Sequence, residues 1–126
     1  MLDHIILSVT NFEEAKDFYL KALAPLGYTV IAEFPEDLAA GFGITDEKAD
    51  FWIAQEESVD TTHIAFTATS KEAVGCFYTA ALEAGGEGNG EPQYHTEYDN
   101  NYYGAYVFDP DGNNIEAVFR DPSVTT

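Results

Sequence analysis

Two histidines and one glutamate are the residues of this chain best suited to hold a metal ion. His4 and His63 each lie near the start of a stretch of alternating apolar residues, and Glu116 lies in a similar stretch near the end of the chain. Two imidazoles and one carboxylate that converge from separate strands form a facial arrangement typical of a divalent ion with open coordination positions. Such an ion binds substrate oxygens or water and acts as a Lewis acid. Composition alone leaves open the alternative that these are three ordinary, hydrogen-bonded side chains.

An internal repeat relates the two histidines. When His4 is placed over His63, an offset of 59 residues, segments 3–27 and 62–86 align without a gap, and nine of the 25 aligned pairs are identical. Self-similarity of this kind predicts two copies of one structural unit. The repeat favours the metal hypothesis, because it places the two histidines at equivalent positions of the two copies. A charged Glu116 on the same face as the histidines would also be costly unless it were paired.

Each copy predicts a strand, a helix and further strands. The first strands have apolar residues at every second position, and apolar residues then recur at helical spacing. Asn11 and Ser70 are predicted N-caps, and glycines end both helices. We predict later strands at 28–34, 38–43 and 49–55 in the first copy, and a loop at 87–92 followed by strands at 93–98, 102–108 and 114–120 in the second. The sequence Asp-Pro-Asp-Gly at 109–112 predicts the turn of a hairpin.

Length, charge and cysteine content limit the possible partners. The 126 residues predict one domain, 1–126, with internal modules at about 1–57 and 60–120. The net charge of −18, from 23 acidic and 5 basic residues, argues against binding to nucleic acid or to an anionic membrane. The chain opens without a basic flank or long apolar segment, so a cytoplasmic location is expected. Cys76 is the only cysteine and is expected to be a buried, inert thiol.

The repeat and the two ends of the chain resemble a known superfamily. The openings HIILSV and HIAFTA and the ending YYGAYVFDPDGNNIEAVF are similar to the glyoxalase/bleomycin resistance protein/extradiol dioxygenase (vicinal oxygen chelate) superfamily, in particular its small glyoxalase-like branch. The resemblance covers about residues 2–120. It implies an α+β fold in which two βαβββ modules curl their sheets around a shared cavity. It also implies metal ligands from the first and last strands of the modules, and His4, His63 and Glu116 occupy three of those four positions.

Trp52 occupies the fourth position, where a glyoxalase-type enzyme carries a second carboxylate. Asp50 lies two residues earlier and would reach the site only with a shifted register. The glyoxalase-like branch carries a histidine where this chain has Asp99, and the local histidine is instead His95. His95 is therefore either a base or extra ligand in the cavity or a solvent-exposed loop residue. Aromatic contact with a substrate is expected from Trp52, Tyr98 and Tyr103, unless these rings pack in the core.

The resemblance implies a glyoxalase-like, metal-dependent enzyme. It would perform lyase or isomerase chemistry on a small oxygenated substrate that chelates a divalent metal, either Zn, Ni, Mn or Fe, with Glu116 and His95 in catalytic roles. The alternatives are a metal-free binding protein of the bleomycin-resistance type, an extradiol-type dioxygenase, and a structural dimer with a vestigial cavity. The resemblance also implies a homodimer, and the sequence leaves open whether the cavity lies within one chain or across two.

Overall fold

The computed structural model describes residues 1–124, which form two α-helices and eight β-strands. Each module begins with one strand and one helix and continues with three strands. The first module contains β1 (Ile5–Val9), α1 (Phe12–Ala22), β2 (Thr29–Phe34), β3 (Ala39–Gly43) and β4 (Phe51–Gln55). The second contains β5 (His63–Thr67), α2 (Lys71–Glu83), β6 (Glu87–Tyr94), β7 (Tyr102–Phe108) and β8 (Asn114–Arg120).

The strands form one four-stranded sheet per module. The orders are β1-β4-β3-β2 and β5-β8-β7-β6, so β1 and β5 occupy equivalent edges. In each sheet the first and last strands of the module pair in parallel, and the remaining pairs are antiparallel. The predicted fold class, an α+β chain of two βαβββ modules, is confirmed.

Both helices begin where the sequence predicts, and α2 ends just before the predicted glycines, whereas α1 ends earlier, at Ala22, and Gly27 ends a separate 3₁₀ turn at Ala24–Leu26. The Asn11 side chain accepts a hydrogen bond from the backbone N–H of Glu14, and Ser70 accepts one from Ala73. These side chains satisfy helix N–H groups that have no partner within the helix. Gly27 and Gly85, after α1 and α2, have φ angles of 93° and 102°, a left-handed conformation that glycine adopts without steric cost.

The helix-bearing faces of the two sheets share one hydrophobic core. Phe51 of the first module and Phe66 of the second have ring centroids 5.1 Å apart in an edge-to-face arrangement, and α1 packs against α2. Because the helix-bearing faces meet, the opposite faces of the sheets point away from the core. Ile6, on that opposite face of β1, is accordingly 64% exposed. We call these the outward faces.

Two expectations about the second module are wrong. Residues 87–92 form part of β6 and not a loop, and β6 ends at Tyr94. The segment pairs with β7 through register shifts between Gly88 and Gly90 and again between Gly90 and Gln93, and such bulges let glycine-rich sequence remain in a sheet. Cys76 is exposed and not buried, because it lies on the side of α2 away from the core residues Val74 and Phe77.

Neither helix in residues 1–124 is both long enough and apolar enough to cross a membrane.

Candidate functional site

His63 and Glu116 meet on the outward face of the second sheet. Their strands β5 and β8 are parallel neighbours, and Ala65 pairs with Glu116. His63 lies two residues before Ala65 and therefore on the same face as Glu116. Nε2 of His63 lies 2.8 Å from Oε1 of Glu116. The glutamate is 1% exposed, whereas the histidine side chain is 52% exposed. A half-exposed imidazole therefore contacts a buried carboxylate.

Tyr102 donates a hydrogen bond from its hydroxyl to the other oxygen of Glu116, Oε2. Both carboxylate oxygens are therefore engaged by side chains of the same face. Burial, together with the hydrogen bond to Glu116, raises the pKa of Tyr102 to about 12, so the hydroxyl is neutral and donates. Burial and a hydrogen bond with Tyr102 raise the pKa of Tyr106 even further.

Sequence reasoning missed Tyr102 and Tyr106 as site residues. A signal was available, because Ala105 and Val107 alternate with them and are apolar core residues. Period-two alternation then assigns the tyrosines to the outward face. Only the pairing of β7 with β8, in which Tyr106 lies opposite Glu116, shows that they reach the glutamate.

His95 lies behind these tyrosines. Its ring centroid is 6.1 Å from that of Tyr102 and 5.3 Å from that of Tyr106, and both contacts are edge-to-face. Its side chain is 15% exposed, which argues against the alternative of a solvent-exposed loop residue. Nδ1 contacts Glu97 at 3.1 Å, and Nε2 is buried with no hydrogen-bond partner in the described part of the chain.

His4 lies away from the His63–Glu116 pair within one chain. It contacts Asp3 at 2.7 Å and lines a cleft of about 440 Å³ between the edges of β1 and β5, whose lining includes Ile64, Ala65 and Thr67 but neither His63 nor Glu116. Residues 1–124 of a single chain contain no group of three or more His, Cys, Asp or Glu side chains that could hold a metal ion.

Trp52 lies on the outward face of the first sheet. It pairs with Ile6 across β1 and β4, and its indole stacks on Phe34 with ring centroids 6.0 Å apart and an angle of 10° between the planes. Asp50 lines the cleft beside His4 and accepts a 3.4 Å hydrogen bond from Tyr28. The first sheet therefore presents an aromatic surface where the second presents His63 and Glu116.

The two tyrosines expected to contact substrate lie in different places. Tyr98 is exposed, and its ring stacks on His95 with centroids 5.9 Å apart, next to the His63–Glu116 cluster. Tyr103 lies on the helix-bearing face, where Lys71 approaches its ring to 4.9 Å. Tyr102, the neighbour of Tyr103, is the residue that the structure brings to Glu116.

Comparisons with known proteins agree with this architecture. The sequence profile described as Glyoxalase/Bleomycin resistance protein/Dioxygenase superfamily matches residues 1–117. No curated protein matches the chain significantly.

Among solved structures, a glyoxalase/bleomycin resistance protein from Albidiferax ferrireducens T118 is 27% identical, with a TM-score of 0.78, and the match covers 95% of this chain and 98% of that one. A family enzyme from Burkholderia phytofirmans PsJN is 18% identical, with a TM-score of 0.68 and coverage of 94% and 97%. A glyoxalase I mutant from Zea mays is 22% identical, with a TM-score of 0.70, and the match covers 93% of this chain but 46% of that one. The last two likenesses show the fold alone. Because the superfamily profile spans nearly the whole chain, the protein belongs to the glyoxalase/bleomycin resistance protein/dioxygenase superfamily.

Proposed function

We propose that this protein is a metal-dependent, glyoxalase-like enzyme that performs lyase or isomerase chemistry on a small oxygenated substrate. The observation that carries the proposal is the contact between His63 and the buried Glu116 on an outward sheet face. A buried carboxylate needs strong partners, and a divalent ion is one of the strongest that a protein can provide.

The two donor atoms lie close enough to share an ion after a small shift. Zinc is bound tetrahedrally at about 2.0 Å by histidine nitrogen and about 2.1 Å by carboxylate oxygen, so two such donors are about 3.3 Å apart. Nε2 of His63 and Oε1 of Glu116 are 2.8 Å apart, a hydrogen-bond distance, so they would separate by about 0.5 Å to admit zinc. A divalent ion held by these donors would supply a Lewis acid for neighbouring oxygens of a substrate.

We further propose that His4 of a second copy completes the ligand set. Within one chain His4 lines a cleft that includes neither His63 nor Glu116, whereas the outward faces of both sheets point away from the shared core. The first sheet offers an apolar surface that includes Ile6, 64% exposed, and Phe34, 52% exposed, and apolar patches of this kind mark interaction sites. A two-fold dimer that places the first sheet of one copy over the second sheet of the other would enclose a cavity between them.

In this proposal the catalytic groups are Glu116 and His95. Glu116, on the outward face of the second sheet, would hold the ion and thereby orient the substrate bound to it. If Nδ1 of His95 donates to Glu97, Nε2 is the basic nitrogen and is free to accept a proton. Because Nε2 is covered by tyrosine rings, it would meet a substrate only after movement of the segment between β6 and β7. Trp52, from the first sheet, and Tyr98, from the segment between β6 and β7, would supply aromatic rings on which the substrate stacks.

Metal titration tests the proposal. We expect untagged protein to bind about one Ni²⁺, Zn²⁺, Mn²⁺ or Fe²⁺ per chain in isothermal titration calorimetry, and His4→Ala, His63→Ala and Glu116→Gln to lose most of that binding. Glu83→Gln is the matched control for Glu116→Gln, because it makes the same change at an exposed position of α2 and is expected to keep the affinity. Wild-type protein that bound none of the four ions would refute the proposal.

Mixing two defective variants tests whether the site is shared between copies. A heterodimer of His4→Ala and His63→Ala keeps one complete site, since the intact His4 of one copy meets the intact His63 of the other. Random exchange of subunits would restore about a quarter of the wild-type sites. A site contained within one chain would regain none.

A second candidate function is metal-free binding of an aromatic ligand. The stacked Trp52 and Phe34 rings on an exposed apolar face favour it. Quenching of the fluorescence of Trp52, the single tryptophan, by an aromatic ligand in the presence of EDTA would support this function, and His63→Ala would then bind as tightly as wild type.

A further inference from the structure

Glu116 is held from two sides by groups of different kinds. His63, which approaches Oε1, is half exposed. Tyr102, which donates to Oε2, comes from β7 on the other side of β8. Each carboxylate oxygen has about two lone-pair sites, so the Tyr102 hydroxyl occupies one site on Oε2 and fixes the direction in which Oε1 presents its own sites.

The Tyr102 ring is itself held in place. The Arg120 guanidinium lies 4.6 Å from the ring centroid, and Asp99 fixes that guanidinium with a 2.7 Å contact. His95 and Tyr98 contact the ring edge-to-face, with centroids 6.1 and 5.2 Å away. A hydroxyl on a ring supported in this way is pre-organised, so little rotamer freedom is lost when it donates to Glu116.

Gly104 provides the space for this contact. It lies between Tyr102 and Tyr106 on the outward face and pairs with Val118. A Cβ atom at position 104 would lie 3.3 Å from the Tyr102 ring and 3.4 Å from Oε2 of Glu116. Any larger side chain would therefore enter the space in which the two groups meet.

We propose that Tyr102 is a positioning residue that fixes the Glu116 carboxylate, so that Oε1, the oxygen next to His63, serves as its metal-binding atom. This inference rests on the proposed metal-dependent function and adds to it a residue outside the ligand set. Hydrogen-bond partners of ligating carboxylates orient the donor atoms, and removal of such a partner typically weakens metal affinity by about 10- to 100-fold.

Tyr94 gives a matched control. Its hydroxyl also donates to a carboxylate, Asp121, at 2.6 Å, but Tyr94 contacts Tyr103 on the helix-bearing face. Tyr102→Phe and Tyr94→Phe thus remove the same chemical group from a tyrosine–carboxylate pair on opposite faces of one sheet.

The test is the Ni²⁺ affinity of the three proteins, together with the visible spectrum of their Co²⁺ complexes. We expect Tyr102→Phe to bind Ni²⁺ about 10- to 100-fold more weakly than wild type, and Tyr94→Phe to bind it equally well. The Co²⁺ spectrum reports coordination geometry, so it should change in Tyr102→Phe alone. A role of Tyr102 in stability only would leave this spectrum unchanged.

The outcomes distinguish the positioning role of Tyr102 from the proposed metal-dependent function. Equal Ni²⁺ affinity and equal Co²⁺ spectra for wild type and Tyr102→Phe would overturn the positioning role and leave the proposed function standing. Equal weakening in both tyrosine variants would overturn it as well, because the effect would then not be specific to Glu116. Wild-type protein that bound neither ion would overturn both claims. If Tyr102→Phe failed to fold, Gly104→Val, which crowds the same contact from the backbone, would replace it in the comparison.

Discussion

The buried hydroxyl of Tyr19 donates a 2.5 Å hydrogen bond to Asp109 and thereby joins helix α1 of the first module to the β7–β8 turn of the second. Asp109 also accepts hydrogen bonds from the Asn113 backbone and side chain and from the backbone of Asp111. Burial and the Asp109 charge raise the pKa of Tyr19 well above its usual value, so the hydroxyl remains a donor.

Tyr19→Phe should therefore destabilise the protein. The substitution leaves a nearly buried carboxylate with one donor fewer, and loss of a hydrogen bond to a charged group costs about 1.5–3 kcal/mol. Urea unfolding measures the change in free energy. Tyr78→Phe is the control, because Tyr78 is the repeat counterpart of Tyr19 but is only partly buried. Equal losses in the two variants would contradict this role of Asp109.

Ile6→Lys should convert a dimer to a monomer. A lysine in the middle of the exposed apolar face of the first sheet would place a charge in the proposed interface. Light scattering should give a mass near twice 13.9 kDa for wild type and near 13.9 kDa for the variant. Leu20→Lys, which changes an exposed residue of α1, should stay dimeric. A wild type that ran as a monomer at millimolar concentration would refute the shared site.

The contribution of Asp121 to stability should be lost in acid. Hydrogen bonds from Ser123 and Tyr94 lower the pKa of Asp121 from 3.8 to about 2. A carboxyl group whose pKa is lower in the folded state stabilises the protein above the unfolded-state pKa, and the stabilisation disappears as the pH falls towards about 2. Asp121→Asn should thus lower the melting temperature at pH 7, and its difference from wild type should shrink between pH 4 and pH 2. A difference independent of pH would contradict this explanation.

Salt should raise the melting temperature. The net charge of −18 produces repulsion across the folded surface, and the screening length falls from about 10 Å at 0.1 M salt to about 3 Å at 1 M. Exchange of the exposed residues Glu36, Glu47, Glu57 and Glu72 for lysine should weaken this dependence. A melting temperature that did not change with NaCl would argue against charge repulsion.

The sequence predicted the parts of the fold that depend on local pattern. Strands β7 and β8 have the predicted bounds, and both helix caps form as expected. Residues 87–92 of β6 were wrongly predicted as a loop because glycine and proline have low strand propensity, and the place of this segment beside β7 depends on two bulges. Bulges of this kind are formed with a distant partner and leave no periodic signal in the segment itself.

The candidate site was predicted in part, for the same reason. The repeat related His4 to His63, and strand alternation placed Glu116 on the face of His63, where the structure finds it. Alternation cannot specify which ends of two strands lie together. The structure places His4 in the cleft between β1 and β5, whose lining includes neither His63 nor Glu116.

The common core has a consequence for how this protein can evolve. Each module covers the helix-bearing face of the other, and the hydrogen bond from Tyr19 to Asp109 joins the two modules. A half-length gene product would leave that face open to water, so each half needs the other to bury its core. Substitutions on the helix-bearing faces therefore affect both modules, whereas each outward face can change by itself; one carries Trp52 stacked on Phe34 and the other carries His63 and Glu116.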